Sequence, residues 1–237
     1  MGDEVAPVLE AIKLDVELGG HRVLTGVELE LEGSDLVALI GPNGAGKSSL
    51  LGALAGLHRV KAGRIKMGDL DVTSRSLEER SRLGISLLPE GRGIFPGLTV
   101  RENLFVGGWW RRSTELEPVL DVLPELSELL GVVAGRLTRD EQQLCAFGRV
   151  LMSEPSILLI DEFSLGLSPF VADRLVRLMP DVSAHGTAIL VVEQDVERVL
   201  SIVDRAYVLE GGRIIKLGTP YELLADPNFV LEYLWGS

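Results

Sequence analysis

Apolar and polar positions along the chain alternate between short runs typical of buried strands and stretches with the spacing of amphipathic helices. Residues Ala11 to Leu31 alternate in two bouts around Gly19-Gly20, which predicts a pair of antiparallel strands. Leu36 to Ile40, Ile157 to Ile160 and Ala188 to Val192 are continuous apolar runs, the pattern of parallel strands covered on both faces, and Ile85 to Leu88 reads as a further buried strand. Helical spacing occupies Ser49 to Leu57, and Lys61-Ala62-Gly63 reads as a turn before a short strand, Arg64 to Met67. Ser76 with Glu79, and Thr138 with Glu141, form capping boxes that predict a helix to about Leu83 and another from Leu137 to Met152.

Pro89 to Gly97 breaks regular structure, and the pattern from Leu98 to about Leu130 is helical. Ser168-Pro169 predicts a helix start, while Pro180 predicts a kink or early stop before Ala184. Ala206 to Leu209 and Ile214 to Leu217 flank Gly211-Gly212 as a hairpin, and Thr219-Pro220 opens a last helix. There is no internal repeat. The expected architecture is an α/β parallel sheet with an antiparallel β subdomain and a helical insert between the second and third buried strands. One domain over 1–237 follows, with a core of 1–88 and 154–237 and a helical subdomain over 89–153.

Composition narrows the function classes. The formal charge is −12, with 35 acidic against 23 basic residues, so a nonspecific nucleic-acid role lacks the basic surface it needs. The single cysteine, Cys145, sits among Leu144, Ala146 and Phe147 on a helical pattern and reads as a core residue in a reducing compartment. No apolar run approaches the ~18 residues of a membrane span. Met1 to Pro7 carries Asp3 and Glu4 where a secretion signal is basic, and Ala6 where a myristoylation motif has Ser or Thr. The expectation is a soluble protein inside the cell.

The chemistry starts at Gly41-Pro42-Asn43-Gly44-Ala45-Gly46-Lys47-Ser48, between an apolar strand and a helix that begins near Ser49. The glycines let successive N–H groups point at an anion, Lys47 adds a cation for the β- and γ-phosphates, and Ser48 offers a hydroxyl to Mg²⁺. A Gly-rich turn with an exposed lysine is the blander alternative. Asp161 and Glu162 end an apolar strand, where carboxylates are costly unless a cation holds them. Asp161 completes a Mg²⁺ site with Ser48, and Glu162 orients or deprotonates an attacking water. Gln194 ends the neighbouring strand, either as a γ-phosphate sensor or as a surface amide. His21, His58 and His185 lack metal-ligand spacing.

These residues resemble, over essentially the full chain, the ATP-binding subunits of ABC transporters. GPNGAGKS and ILLIDE match the two nucleotide motifs, while PEGRGIFPGLTVREN from Pro89, EQQLCAFGRVLM from Glu141, SLGLSP from Ser164 and YVLEGGRI from Tyr207 resemble one branch. That branch is the smaller ATPase subunit of importers for branched-chain amino acids and related small polar solutes. The resemblance implies a P-loop NTPase (RecA-like) fold and hydrolysis of ATP with Mg²⁺. It implies a head-to-tail pair with a second ABC ATPase subunit, different or identical, sandwiching two ATP molecules. It further implies transmembrane permease subunits, a solute-binding protein acting through them, and peripheral attachment at the cytoplasmic face of the membrane.

Carried over by position, Glu90 stands where most of the superfamily has the Gln that links Mg²⁺ and water to the membrane subunit. Gln194 stands where most have the switch histidine, and both replacements are usual in this branch. Leu18 takes the place of the aromatic that stacks on adenine, Phe163 that of a proline, and 164–168 is the loop that crosses the dimer interface. The LSGGQ signature acting in trans is replaced by Leu137-Thr138-Arg139-Asp140-Glu141. Thr138 can supply the hydroxyl, but Asp140 brings a charge: a like-charge pair at ~6 Å and an effective dielectric of ~20 costs roughly 3 kcal/mol. Two expectations compete. Either the segment serves the partner's ATP poorly, with Arg139 offsetting part of the cost, or it is kept as a helix N-terminus. Trp109-Trp110-Arg111-Arg112 is either ordinary packing or part of a groove for the membrane subunit. The alternative function is a degenerate ABC protein that binds ATP in a regulatory or scaffolding role.

Overall fold

The computed structural model describes residues 8–234, so the features noted within Met1 to Pro7 lie outside the described residues. Strands β1 (Leu9–Leu18), β2 (His21–Leu31), β4 (Val60–Met67) and β5 (Leu70–Asp71) form a sheet in the order β2-β1-β4-β5. A second sheet has the order β10-β9-β3-β8-β7-β6. In it β3 (Leu36–Ile40), β6 (Ile85–Leu88), β7 (Ile157–Asp161), β8 (Ala188–Val192) and β9 (Arg205–Glu210) are parallel. Strand β10 (Arg213–Gly218) closes its edge antiparallel to β9.

Alternation of side chains across this sheet divides the apolar interior in two. From β3, Leu36, Ala38 and Ile40 face one cluster, and Val37 and Leu39 face the other. The second cluster holds helix α1 (Lys47–Ala55) against the antiparallel sheet. The first lies under α3 (Val100–Gly107), α4 (Glu117–Val122), α5 (Arg139–Leu151) and α6 (Pro169–Ala184). Segment 89–153 therefore shares its apolar contacts with the strands. Helix α2 (Leu77–Arg82) lies between β5 and β6, α7 (Val196–Leu200) follows β8, and α8 (Pro220–Leu224) and α9 (Pro227–Phe229) lead to a π-helical turn, Val230–Leu234.

Both expected capping boxes are present, at Ser76/Glu79 and Thr138/Glu141. Cys145 is fully buried, and burial pushes its thiol up to about 11. Four expectations are corrected. Lys61-Ala62-Gly63 lies inside β4 at a bulge, where Gly63 has φ +90° and a Cβ would stand 2.3 Å from the Lys13 carbonyl oxygen. The helical pattern after Leu98 is cut into α3, α4 and 3₁₀ turns at Trp109–Arg111 and Pro124–Leu129, broken by Gly107-Gly108 and two prolines. Helix α6 runs through Pro180, whose missing N–H falls on the exposed face while Val176, Met179 and Val182 stay packed. The helix opened at Thr219 is followed by α9.

Arg80 of α2 is a feature that the hydrophobic pattern does not reveal. It is 1% exposed, and its guanidinium donates to the carbonyls of Ala53 and Leu54, each at 2.7 Å, and of Thr73 at 2.9 Å. A buried cation thus caps the C-terminal end of α1, where the helix dipole is negative. Arg80→Met leaves those buried carbonyls without donors, so it should lower the unfolding free energy by about 3 kcal/mol, read from chemical denaturation.

Candidate functional site

Strand β3 delivers the chain into 41–46 and then directly into α1. A Cβ on Gly41 would lie 2.0 Å from the Leu209 carbonyl of β9, and one on Gly46 would lie 2.9 Å from Leu24, at φ +106°. Larger residues cannot enter this seat between β2 and the β9–β10 turn. Gly212 N–H donates to Ala45 O at 3.0 Å and Thr25 N–H to Gly212 O at 2.8 Å, tying both sides to the loop. Gly46 caps α1 without a side chain, so the first N–H groups of the helix remain available to an anion.

Lys47 is buried and folds back over the loop, donating from Nζ to Gly41 O at 2.7 Å and Pro42 O at 3.1 Å. Burial pushes its ammonium below the usual lysine range, and the charges of Glu162 and Asp161 pull it back up. Ser48 Oγ donates to Asp161 Oδ1 at 3.1 Å. Burial raises the Asp161 carboxyl above the usual range; the Ser48 bond opposes that shift, and the charges of Glu162 and Glu90 add to it. Glu90, exposed just beyond β6, thus lies within electrostatic reach of Asp161. The Ser48 hydroxyl and the Asp161 carboxylate are oxygen donors of the kind Mg²⁺ takes.

Glu162 adopts φ +42°, and its N–H donates to Val192 O at 3.0 Å, which turns the chain sharply at the end of β7. Such a left-handed non-glycine residue costs about 1–3 kcal/mol and is a mark of a functional turn. Gln194 Nε2 donates to Glu162 Oε2 at 2.8 Å, so the amide meets the carboxylate directly. Phe163, in place of the expected proline, is buried in the first cluster and anchors the turn. A cleft of about 530 Å³ is lined by Asn43, Gly44, Gly46, Lys47, Ser48, Ser49 and Glu162, and on its far wall by Arg22, Val23, Gly211 and Gly212. Leu18 ends β1 beside that wall without lining the cleft, and Ala45 is buried beneath the loop.

Sequence reasoning gave Glu193 no role. It is 3% exposed, and its carboxylate accepts from Ser164 N–H at 2.8 Å, Ser164 Oγ at 2.9 Å and Gln194 N–H at 3.1 Å. Burial raises its carboxyl above the usual range, opposed by the Ser164 bonds. Its place at the end of an apolar strand was the same signal that singled out Asp161.

The segment 138–141 begins α5. Glu141 Oε2 accepts from Thr138 N–H at 2.7 Å and Oγ at 2.9 Å, and Arg139 is exposed on the first turn. Asp140 is turned inward: Oδ1 accepts from Ser168 N–H at 3.0 Å, and Oδ2 accepts from Ser168 Oγ. The Asp140 charge, costly before a nucleotide if unrelieved, is met by two donors of its own chain. Trp109 is 80% exposed, and Trp110 lines a separate groove of about 510 Å³ with Phe95, Leu57, Val106 and Arg149.

A family model described as ABC transporter matches residues 24–164. The chain is 37% identical over 228 residues to the high-affinity branched-chain amino acid transport ATP-binding protein BraG of Pseudomonas aeruginosa, covering 94% of this chain and 98% of that protein. It is 34% identical to the probable branched-chain amino acid transport ATP-binding protein LivF of Archaeoglobus fulgidus, covering 94% and 96%. The lipopolysaccharide export system ATP-binding protein LptB of Escherichia coli is 31% identical, over 91% and 92%. Among solved structures, the ADP conformation of an ATP-binding cassette of an ABC transporter superposes with a TM-score of 0.85 at 27% identity, covering 98% and 99%. A nucleotide cleft of this build on a chain so matched from end to end places the protein in the ABC transporter family, as one of its ATP-hydrolysing, ATP-binding subunits.

Proposed function

We propose that this subunit energises an importer of branched-chain amino acids or a related small polar solute. The observation that carries the reading is that Ser48 and Glu162 line one cleft, each bonded to a strand-end partner, Asp161 and Gln194, on a chain more similar to BraG and LivF than to LptB. The subunit works head-to-tail with a second ATPase subunit, different or identical. Membrane-spanning permease subunits, served by a solute-binding protein, hold the pair at the cytoplasmic face of the membrane. No helix among the described residues is long and apolar enough to cross a membrane. The groove at Phe95 and Trp110, between the sheet core and the 89–153 helices, is where a permease subunit docks.

On nucleotide binding, Lys47 Nζ leaves the Gly41 and Pro42 carbonyls for the β- and γ-phosphates, and the free N–H groups of the loop and α1 take the remaining oxygens. Mg²⁺, held by Ser48 and Asp161 with Glu90 nearby, supplies charge neutralisation at the phosphates. Glu162 accepts the proton of the attacking water, and Gln194 fixes the orientation of that carboxylate. Thr138 of the opposing subunit supplies the hydroxyl of the signature segment.

Glu162→Gln should lower turnover of the assembled transporter about 10²–10³-fold while retaining ATP binding. A variant that still hydrolyses ATP at the wild-type rate removes Glu162 from this role. Lys47→Ala forfeits charge-assisted contacts worth about 3 kcal/mol and should weaken ATP affinity about 100-fold in a nucleotide titration. Trp110→Asp should abolish co-purification with the permease subunits and leave ATP affinity unchanged, because the groove and the cleft share no lining residue. Uptake of labelled leucine that depends on this chain supports an importer; intact uptake with defective lipid export assigns the chain to the LptB side.

A further inference from the structure

The signature-like segment and the catalytic turn of the same subunit are joined by a link that is hydrogen-bonded at both ends and runs through the backbone of loop 164–168 between them. It begins at Asp140, on the first turn of α5, whose two carboxylate oxygens take the N–H and Oγ of Ser168. Ser168 caps α6, its Oγ accepting from Val171 N–H at 3.4 Å. Between Ser168 and Ser164 the loop is a tight turn, with Leu167 N–H donating to Ser164 O at 3.1 Å. Ser164 gives its N–H and hydroxyl to Glu193, Glu193 takes the Gln194 N–H, and the Gln194 amide holds Glu162. Loop 164–168 is therefore fastened at both ends by carboxylates, one from α5 and one from β8.

We propose that Asp140 is a positioning residue: it replaces the glycine of a phosphate-facing signature with a latch that sets loop 164–168, and through Glu193 and Gln194 the Glu162 carboxylate. This rests on the reading of Glu162 as the hydrolytic base. The geometry favours the latch over a surface carboxylate because Asp140 spends both oxygens on one partner residue. Ser168 in turn uses its hydroxyl as donor to Asp140 and acceptor for α6, leaving each group satisfied. Arg139, exposed at the start of α5, lays its guanidinium near the same loop, where a Cβ on Gly166 would stand 3.5 Å from it.

Two variants separate this from a local packing role. Asp140→Gly, which restores the family's residue type, should speed hydrogen exchange at the Ser168 amide of the full-length chain at least about tenfold. In the assembled transporter it should lower turnover about tenfold with ATP affinity within about twofold. Asp140→Asn keeps an oxygen for the Ser168 N–H and an amide donor for its Oγ, and should recover turnover to within about threefold of wild type. Asp140 and Ser164 do not touch, so independent effects of Asp140→Gly and Ser164→Ala would multiply. Through one chain, the double variant should be no more than about twofold worse than the poorer single variant.

Unchanged Ser168 exchange in Asp140→Gly overturns the latch. Faster turnover in that variant also overturns it, since the carboxylate would then be opposing phosphate across the interface. Losses that multiply in the double variant overturn the link to Glu162. If the wild-type assembly shows no ATP hydrolysis, the reading of Glu162 fails, while the exchange measurement still decides the latch.

Discussion

Helix α1 is enclosed along its sides and must stay unfinished at one end. Leu50, Leu51, Ala53, Leu54 and Ala55 are buried, so the helix is held by apolar contact on nearly every face. Its far end is closed by Arg80, a cation inserted among its last carbonyls. Its near end has only Gly46 as cap, and the first N–H groups of the helix face the open cleft, where an anion can take them. The rest of the molecule serves this arrangement: β3 aims the loop, β9 backs it, and β7 and β8 bring carboxylates and an amide to its open side.

The partition of the interior explains how one sheet serves two tasks. Residues on one face of β3, β7 and β8 hold α1, and those on the other hold the helices that carry the interface segments. A strand of five residues cannot move without disturbing both sides. The polar groups at the strand ends, Asp161, Glu162, Glu193 and Gln194, therefore sit on the most constrained backbone in the chain. Catalytic geometry is held best where packing allows least freedom.

Much of this was legible in the sequence where local chemistry decided the outcome. The runs at β3 and β8 were bounded to the residue, because continuous apolar stretches end where the sheet does. Glycine spacing gave the phosphate loop, and the cost of a buried carboxylate pointed to Asp161. What escaped was set by partners distant in sequence. The bulge at Gly63 exists because β4 must pass the Lys13 carbonyl, and Pro180 is tolerated because α6 packs on both sides of it. Arg80 has no local signal, since nothing near it in sequence announces the carbonyls of α1. For Asp140 the sequence left two roles open, a charge facing the partner's nucleotide or a residue of a helix N-terminus, and neither includes its bond to Ser168, 28 positions away.

Cys145, the sole cysteine, lies fully buried in α5 with its thiol pushed far toward the protonated form. Thiol reagents require an accessible thiolate. The natural chain is in this respect already silent, so a cysteine introduced at an exposed site such as Trp109 or Phe170 would be the sole reactive handle. Fluorophores or spin labels can then be placed on the groove side or beside loop 164–168 of the native protein, without first removing a residue from its core.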